Sequence, residues 1–508
     1  MSPPRLARLA EPNWGNRAYA LLLLFVTTAI ALPAQTFRTL ASFDGSNGAN
    51  PLAPLVQGFD GKLYASTFNS LPNSVCSAGC GTFFKITTGG VLTTLVTLAG
   101  TNGAQPAAPL IQTPNGDWWT TTEYGGANGW GTVGKISRVS VWDIINSFCS
   151  QSGCTDGAAP TAGLVLVHEN FYGTTSQGGA SSACTPGGCG TVFEITQSGT
   201  LTTLLSLDFK NGAKPTAGLV HGTKGNLYGT TSQGGANSEG TVLHYTINNA
   251  QQRSDVWDFC QAVGCTDGAG PIGALALDIN GSLYGTTEYG GASDGGTVFN
   301  FTPGGKLVTL HSFCTNPTDC PDGSNPIAGL IQATDGNFYG TTFQGGASSA
   351  CTPGGCGTVF EITPSGTFKT LYSFCSQSGC ADGANPAAGL VLDTDGKFYG
   401  TTEYGGDNNL GVVFSLDVGL APFVETQPTC GKVGAAVKIL GTNLTGATSV
   451  KFNGTAAVFT VASGSLITTT VPAGASTGLV KVTITSGTRP VPSSRVFTIT
   501  DQDCSDNQ

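Results

Sequence analysis

The feature that most limits the fold is an internal repeat of about 55 residues, present seven times. An aromatic closing a Gly-x-aromatic-aromatic or similar segment recurs at Tyr64, Trp119, Tyr172, Tyr228, Tyr284, Tyr339 and Tyr399, at intervals of 55, 53, 56, 56, 55 and 60 residues. Thirteen residues before each stands a proline (twelve in the third copy): Pro51, Pro106, Pro160, Pro215, Pro271, Pro326 and Pro386. Three residues before each proline is the Gly of an Asn-Gly or Asp-Gly pair, from Asn47-Gly48 to Asp382-Gly383. Units of this period bury their apolar faces only by stacking on one another. Composition removes the helical versions of such an array. Gly 75 and Pro 26 make a fifth of the 508 residues, and only 10 % are charged. Both residues disfavour helix, and few Glu/Lys pairs exist to compensate. With 39 % hydrophobic residues and a net charge of −10, disorder is excluded. Without a Lys/Arg-rich run, nucleic acid and anionic membrane are not expected partners.

Each copy reads as four strands. In the sixth, Ala328–Ile331 is the first, Asp335-Gly336 turns, and Asn337–Thr342 is the second; a Gly-rich loop leads to Gly357–Thr363, and a Pro-Ser-Gly turn to Thr367–Phe374. β-Branched and aromatic alternation bounded by Asp-Gly or Ser-Gly is a hairpin signature. Seven such units with no helix between them predict an all-β fold, a seven-bladed β-propeller over residues 35–419. The seventh copy stops after its third strand, Gly411–Leu416, while Phe37–Phe43 (FRTLASF) matches Phe368–Phe374 (FKTLYSF). The N-terminal segment is therefore expected to supply the missing outer strand.

Arg5, Arg8 and Arg17 precede an apolar run, Ala18–Leu32, which ends in Ala-Leu-Pro-Ala-Gln. This is the layout of a secretory signal in residues 1–34, cut after Ala34, and at about 15 residues the run is short of the ~20 that span a bilayer. A secreted chain, extracellular or periplasmic and without a membrane span after cleavage, is expected. The sixteen cysteines agree: fourteen fall in local pairs, Cys76/Cys80, Cys149/Cys154, Cys184/Cys189, Cys260/Cys265, Cys314/Cys320, Cys351/Cys356 and Cys375/Cys380. Zinc favours Cys-x₂-Cys spacing or histidine partners, and His168, His221, His244 and His311 sit at non-equivalent places, so disulfides are expected and no metal or cofactor. Each closes a loop of about six residues, worth roughly 2 kcal/mol at most by chain entropy.

The unit Asp-Gly-x-Phe/Leu-Tyr-Gly-Thr-Thr…Gly-Gly-Ala…Gly-Thr-Val-Phe-Glu-Ile-Thr resembles the GloVer-type tandem repeat of exported bacterial proteins, over about Phe37–Leu416. The resemblance implies export and a repeat fold, and no activity. Streptogramin lyase-like and kelch-like propellers share the rhythm more weakly. After Gly419 the pattern gives way to Thr/Val alternation, with strands expected at Val437–Leu440, Ser449–Phe452, Ala457–Val461, Ile467–Val471, Leu479–Thr485 and Arg495–Thr500. The run Val437-Lys-Ile-Leu-Gly-Thr-Asn-Leu, then Ser449-Val-Lys-Phe-Asn-Gly, then Val471-Pro-Ala-Gly, is similar to an IPT/TIG domain, which implies an immunoglobulin-like β-sandwich in residues 420–508. In such sandwiches the first and last strands run parallel, which would bring Cys430 to Cys504.

In a propeller the loops joining second to third strands share a face with those joining one blade to the next, and here these are the long, cysteine-bearing loops. Insertions gathered on one face mark a binding face. Just past the second strand that face carries Glu123-Tyr124, Glu288-Tyr289 and Glu403-Tyr404, with Ser176-Gln177, Ser232-Gln233 and Phe343-Gln344 at the same place in other copies. Tyr, Gln and carboxylates in a ring suit a sugar or peptide; packing against the next blade is the structural alternative. Asp393-Thr394-Asp395 and Asp335-Gly336 read as turns, since a calcium loop of EF-hand type also needs a distal Glu. Glu194 and Glu361, equivalent in their third strands, read as solvated. No nucleophile–base spacing emerges. The expectation is a monomeric, non-catalytic binding or scaffold protein for a polysaccharide, peptide or cell-surface protein. The alternative is a carbohydrate-active or lyase-type enzyme using Glu123, Glu288 and Glu403, which would require two carboxylates within about 10 Å.

Overall fold

The computed structural model describes residues 35–500, apart from 185–186, 248–254, 279, 317–318, 352–353 and 486–489. The secretory segment and Cys504 lie outside the described residues. Regular structure within them is all β with short 3-10 turns, and no helix is long and apolar enough to cross a membrane. Seven antiparallel four-stranded sheets among the described residues run in succession between Thr36 and Asp417, a propeller-like arrangement.

The sixth sheet shows the pattern, with strands Ile331–Gln332, Phe338–Thr342, Thr358–Ile362 and Phe368–Ser373 hydrogen-bonded in that order. Its first strand is shorter and later than the expected Ala328–Ile331. The Ala328 carbonyl accepts the Thr286 hydroxyl of the preceding sheet at 2.9 Å, so this segment packs sideways on its neighbour instead of pairing with its own second strand.

The N-terminal segment does complete the seventh sheet. Thr36–Ser42 pairs antiparallel with Val412–Asp417, and its register shifts between Thr39 and Ala41 as the other outer strands shift. Phe37 stacks on Tyr372 with ring centroids 3.9 Å apart and 3° between planes; Phe368 stacks on His311 with the same two values one sheet earlier.

The fixed spacing of Gly and Pro within the repeat has a stereochemical reason. The residue before each proline has a positive φ, from Asn50 (φ 52) to Asn385 (φ 55). That turn aims its N–H at the preceding sheet: Gln105 donates to the Cys80 carbonyl at 2.7 Å, Lys214 to Cys189 at 2.9 Å and Asn385 to Cys356 at 2.7 Å. The proline ring then lies on the Gly that opens the neighbour's third strand. At Gly411 (φ +95) a Cβ would stand 2.3 Å from the Thr402 carbonyl oxygen and 2.8 Å from Cδ of Pro51. The Gly of each Asn-Gly or Asp-Gly pair is equally confined: at Gly48 (φ +116) a Cβ would meet Oγ1 of Thr67 at 2.4 Å. The junction between the last sheet and the first has the same stitch, Asn50 N–H to the Leu410 carbonyl at 2.8 Å, so the succession closes on itself. Buried Phe43, Leu55, Leu63, Phe84, Tyr399 and Val413 fill that closing junction as one cluster.

The seven local cysteine pairs are disulfides: Cys76–Cys80, Cys149–Cys154, Cys184–Cys189, Cys260–Cys265, Cys314–Cys320, Cys351–Cys356 and Cys375–Cys380. The second cysteine of each stapled inter-sheet loop has a further role that the pairing alone does not show. Cys154 closes a 3-10 turn, Ser152–Cys154, whereas Cys320 ends a loop one residue longer, with a sequence separation of 6 against 5. Both are half-buried and have positive φ, 53° at Cys154 and 40° at Cys320. That backbone turns their carbonyls inward, where each accepts two N–H groups. Cys154 takes Gly157 and Gly179, and Cys320 takes Gly323 and Gly346, all at 2.9 Å; Cys265 and Cys380 repeat the arrangement. These cysteines therefore tie the inter-sheet loop to the second-to-third-strand loop through the main chain as well as closing their own loop through sulfur.

Beyond Asp417 lie two further sheets of four and five strands around a shared core that includes Val437, Ile439, Phe452, Val480 and Phe497. Ala457–Val461, expected as one strand, is divided at Val458: Ala457 pairs with Val450 in one sheet and Phe459 with Thr469 in the other. The last strand is longer than expected, Val491–Ile499. Cys430–Gly431 runs parallel to it, Cys430 opposite Thr498, and Cys430 is disulfide-bonded.

The closing stitch predicts unequal costs for two glycine substitutions. Gly411→Ala should lower stability by about 3 kcal/mol or more through backbone overlap, and Gly336→Ala by only about 1 kcal/mol from its positive φ. At Gly336 a Cβ meets nothing within 4 Å. Thermal and urea unfolding of the two variants checks the difference.

Candidate functional site

Antiparallel strands divide the sheets' ends into two faces. Tight turns such as Asp60-Gly61 and Asp335-Gly336 lie on one, and the disulfide-bearing loops on the other. On the loop face the frame around the expected pairs is rigid. The last Thr of each second strand donates its hydroxyl to the carbonyl two residues on: Thr122 to Tyr124 at 2.9 Å, Thr287 to Tyr289 at 2.8 Å, Thr402 to Tyr404 at 2.8 Å, and likewise Thr175 to Gln177, Thr231 to Gln233 and Thr342 to Gln344. The same residues bridge by backbone to the incoming loop, Tyr124 to Ala104, Gln177 to Ala158, Gln233 to Ala213, Tyr289 to Ala269, Gln344 to Ser324 and Tyr404 to Ala384. These backbones are structural, and their side chains hang from a fixed frame.

Tyr289 and Tyr404 are 46 % and 39 % exposed, and Tyr124 is half-buried. Tyr124 borders a cleft of about 490 Å³ with the Cys76–Gly79 loop of the first sheet. Tyr289 borders one of about 540 Å³ with Glu239 and Cys265 at the junction of the fourth and fifth sheets. Within each pair the carboxylate lies close enough to the neighbouring phenol to hold its proton. Burial and the Glu123 and Glu403 partners push Tyr124 and Tyr404 up to about 12, and the Glu288 hydrogen bond does the same for Tyr289. Burial raises Glu123 and Glu403 above the usual carboxylate range. The phenol proton is thus held more tightly than in a free tyrosine. What each pair offers outward is a ring face and free acceptor lone pairs, which suit stacking on a sugar and accepting its hydroxyls. The three glutamates sit on the second, fifth and seventh sheets, none of them neighbours.

Glu194 and Glu361 are half-buried clamps rather than solvated groups, because each accepts a hydrogen bond from the Asn that opens its second strand, Asn170 or Asn337. Asp335 and Asp395 act as turn residues and also accept the hydroxyls of Tyr339 and Tyr399, both at 2.8 Å. The aromatic marker of the repeat is therefore anchored at its polar tip in these copies. The sulfurs of Cys351, Cys356, Cys375 and Cys380 gather within 4.8 Å of one another at the junction of the sixth and seventh sheets. All four are spent in disulfides and are not the thiolates that a metal takes as ligands.

Sequence reasoning did not foresee where the C-terminal domain docks. It sits on the turn face, opposite the disulfide loops. Ser465 donates its hydroxyl to the Phe59 carbonyl at 2.8 Å, Phe423 its N–H to Thr394 at 3.1 Å, and Lys438 its ammonium to the Pro114 carbonyl. Asp393 is caught beneath this contact at 1 % exposure; one oxygen accepts the Asp395 N–H and Oδ2 has no hydrogen-bond partner. Burial, with Asp395 and Glu425 nearby and Lys397 opposing, raises its carboxyl to about 7.

The sequence profile of the Gloeobacter/Verrucomicrobia repeat matches residues 26–186, 73–263, 181–414 and 251–476, and the chain belongs to this repeat family. No curated protein matches it. Among solved structures it is similar to the extracellular domain of a protein provisionally described as a one component system from B. thetaiotaomicron, at 9 % identity and a TM-score of 0.49, over 88 % of this chain and 51 % of that one. It is also similar to the extracellular domain of a hybrid two component system, likewise provisionally described, from the same organism (11 %, 0.46, 91 % and 57 %). A periplasmic gluconolactonase of Pseudomonas aeruginosa follows at 15 %, 0.41, 70 % and 97 %. The chain spans little more than half the length of the first two. The disulfides point to an oxidising compartment outside the cytoplasm.

A carboxyl that binds its proton more tightly when folded than the roughly 3.9 of an unfolded Asp makes stability fall as pH rises. The loss begins near pH 4 and is complete above about 7, on the order of 3 kcal/mol. Asp393→Asn should therefore melt above the parent at pH 8 and alongside it near pH 4, as differential scanning fluorimetry across that range would record.

Proposed function

We propose that the chain is an exported, non-catalytic binding protein, made with a signal peptide in residues 1–34 that is removed, and consisting of a seven-bladed β-propeller over 35–419 that recognises a glycan through its stapled face and an IPT/TIG immunoglobulin-like domain in 420–508. The observation that carries this reading is the placement of half-buried Tyr124 and exposed Tyr289 at inter-sheet clefts on a disulfide-fixed frame, with Tyr404 exposed at the equivalent position. Loops already held in place lose little entropy when a ligand arrives. The enzyme alternative has less support. Its three glutamates are each engaged by their own tyrosine and lie on non-adjacent sheets, whereas glycoside hydrolysis needs two carboxylates flanking one bond.

The test is a glycan and cell-wall polysaccharide binding array probed with the chain from Gln35, made under oxidising conditions, beside the Tyr124/Tyr289/Tyr404→Ala triple variant. Saturable binding that the variant loses, with its melting temperature kept, is the expected result. A folded, disulfide-intact chain that binds nothing on the array overturns the glycan reading and leaves a protein as the partner.

A further inference from the structure

The seam between the C-terminal domain and the turn face holds a groove. One part, of about 300 Å³, is walled by Lys85, Arg138 and Lys438, with Asp60 and Tyr64 among the remaining lining. The other, about 440 Å³, includes Glu425 and Arg495. Phe59, Gln112 and Lys438 line both, so the two parts adjoin.

The chain carries 31 acidic residues against 21 basic ones, yet the charged lining of this groove is four cations and two carboxylates. The carboxylate of Asp60 is already engaged, accepting from Lys62 at 3.1 Å and from the Tyr64 hydroxyl at 3.0 Å. Glu425 feels the charge of Arg495 without forming an ion pair. Among the described residues none of Lys85, Arg138, Lys438 and Arg495 has a carboxylate within ion-pair distance. Lys438 lies 4.1 Å from the Phe59 ring centroid, and burial and the nearby Arg138 hold its ammonium below the usual lysine range. Lys438 is half-buried and Arg138 and Arg495 are exposed, and cations lining a cleft without a carboxylate partner attract an anion.

We propose that this groove binds an acidic oligosaccharide, a sugar chain carrying carboxylates. Lys85, Arg138 and Lys438 line one part of the groove and Arg495 the other, so both parts offer positive charge, as a ligand with more than one carboxylate along its length requires. Guanidinium groups such as Arg138 and Arg495 take carboxylates in a two-pronged fit. Between them lie amides and hydroxyls such as Gln112, Ser140 and Thr429 beside apolar Phe59, Trp118 and Leu440, a mixed lining that suits a sugar ring, which presents hydroxyls at its edge and C–H groups on its face. The site is on the face opposite the tyrosine clefts and stands independently of them.

Calorimetric titration of the chain from Gln35 with a short oligogalacturonate, a neutral gluco-oligosaccharide and a poly-glutamate of equal charge tests the assignment. The oligogalacturonate should bind saturably and weaken as salt is raised. Binding should fall by about tenfold or more in Arg138→Gln/Arg495→Gln, which leaves the Lys438 contact to Pro114 in place. The melting temperature of that variant should be unchanged, and should it fail to fold, Arg138→Gln alone carries the same expectation. The Tyr124/Tyr289/Tyr404→Ala variant should bind the oligogalacturonate as the parent does, which separates this site from the rim. Absence of saturable binding, or equal binding by the arginine variants, overturns the proposal. Equal binding of poly-glutamate overturns the saccharide assignment in favour of an acidic peptide.

Discussion

Each sheet is held to the one before it by a residue of positive φ whose N–H reaches across the junction, followed by a proline packed on a glycine that has no room for a side chain. A hydrogen bond of this kind contributes only about 1 kcal/mol on its own. Repeated at every junction, and once more between Asn50 and Leu410, it leaves no free edge at which the array could open. The other properties of the molecule follow from that closure. Loops emerging between stitched sheets cannot wander, and the turns at the opposite end are too short to do so.

The disulfides reinforce the same places by two routes. Four close the loops between sheets and three the loops between second and third strands, so that each junction from the first to the seventh sheet carries at least one. The carbonyls of Cys154, Cys265, Cys320 and Cys380 then join the two kinds of loop to each other. The junction that closes the succession has no disulfide among the described residues and relies on the N-terminal strand, with Asp44 and Asn47 exchanging hydrogen bonds at the loop. The residue before the loop glycine follows this division. It is Asp156, Asp267, Asp322 or Asp382 where the loop holds a disulfide, and Asn47, Asn102 or Asn211 where it does not. In both cases the side-chain oxygen gathers loop N–H groups, as Asp156 does from Ser150 and Gln151, and Asn102 from Ala99.

What was legible in the sequence was whatever a single residue's stereochemistry demands. Gly48, Pro51 and their counterparts stand at fixed offsets because a Cβ or a missing ring would break a contact, and the likeness of FRTLASF to FKTLYSF revealed the borrowed strand. The inner strand was misplaced because Ala328 and Gly329 look like strand residues, but the Ala328 carbonyl bonds sideways and Gly329 packs on Ala274 of the preceding sheet. The strand break at Val458 was hidden because the chain changes sheet there without a turn residue. Cysteine spacing revealed which sulfurs pair, but not that Cys154 and Cys320 also turn their main chain into the neighbouring loop. The positions of the Glu-Tyr pairs could be read from the repeat, but the partial burial that raises Glu123 and Glu403 could not. The docking of the C-terminal domain and the groove beneath it left no sequence signal at all, since they join Phe59 to Ser465 across a separation of 406 residues.

Closure by the N-terminal strand is the claim on which the rigidity of the loop face rests, and strand complementation tests it most directly. A chain lacking Gln35–Phe43 would be melted alone and with a synthetic peptide of that sequence added in excess. The account predicts a clear fall in melting temperature on deletion and its recovery with the peptide, and not with a scrambled one. An unchanged melting temperature in the deleted chain would contradict it.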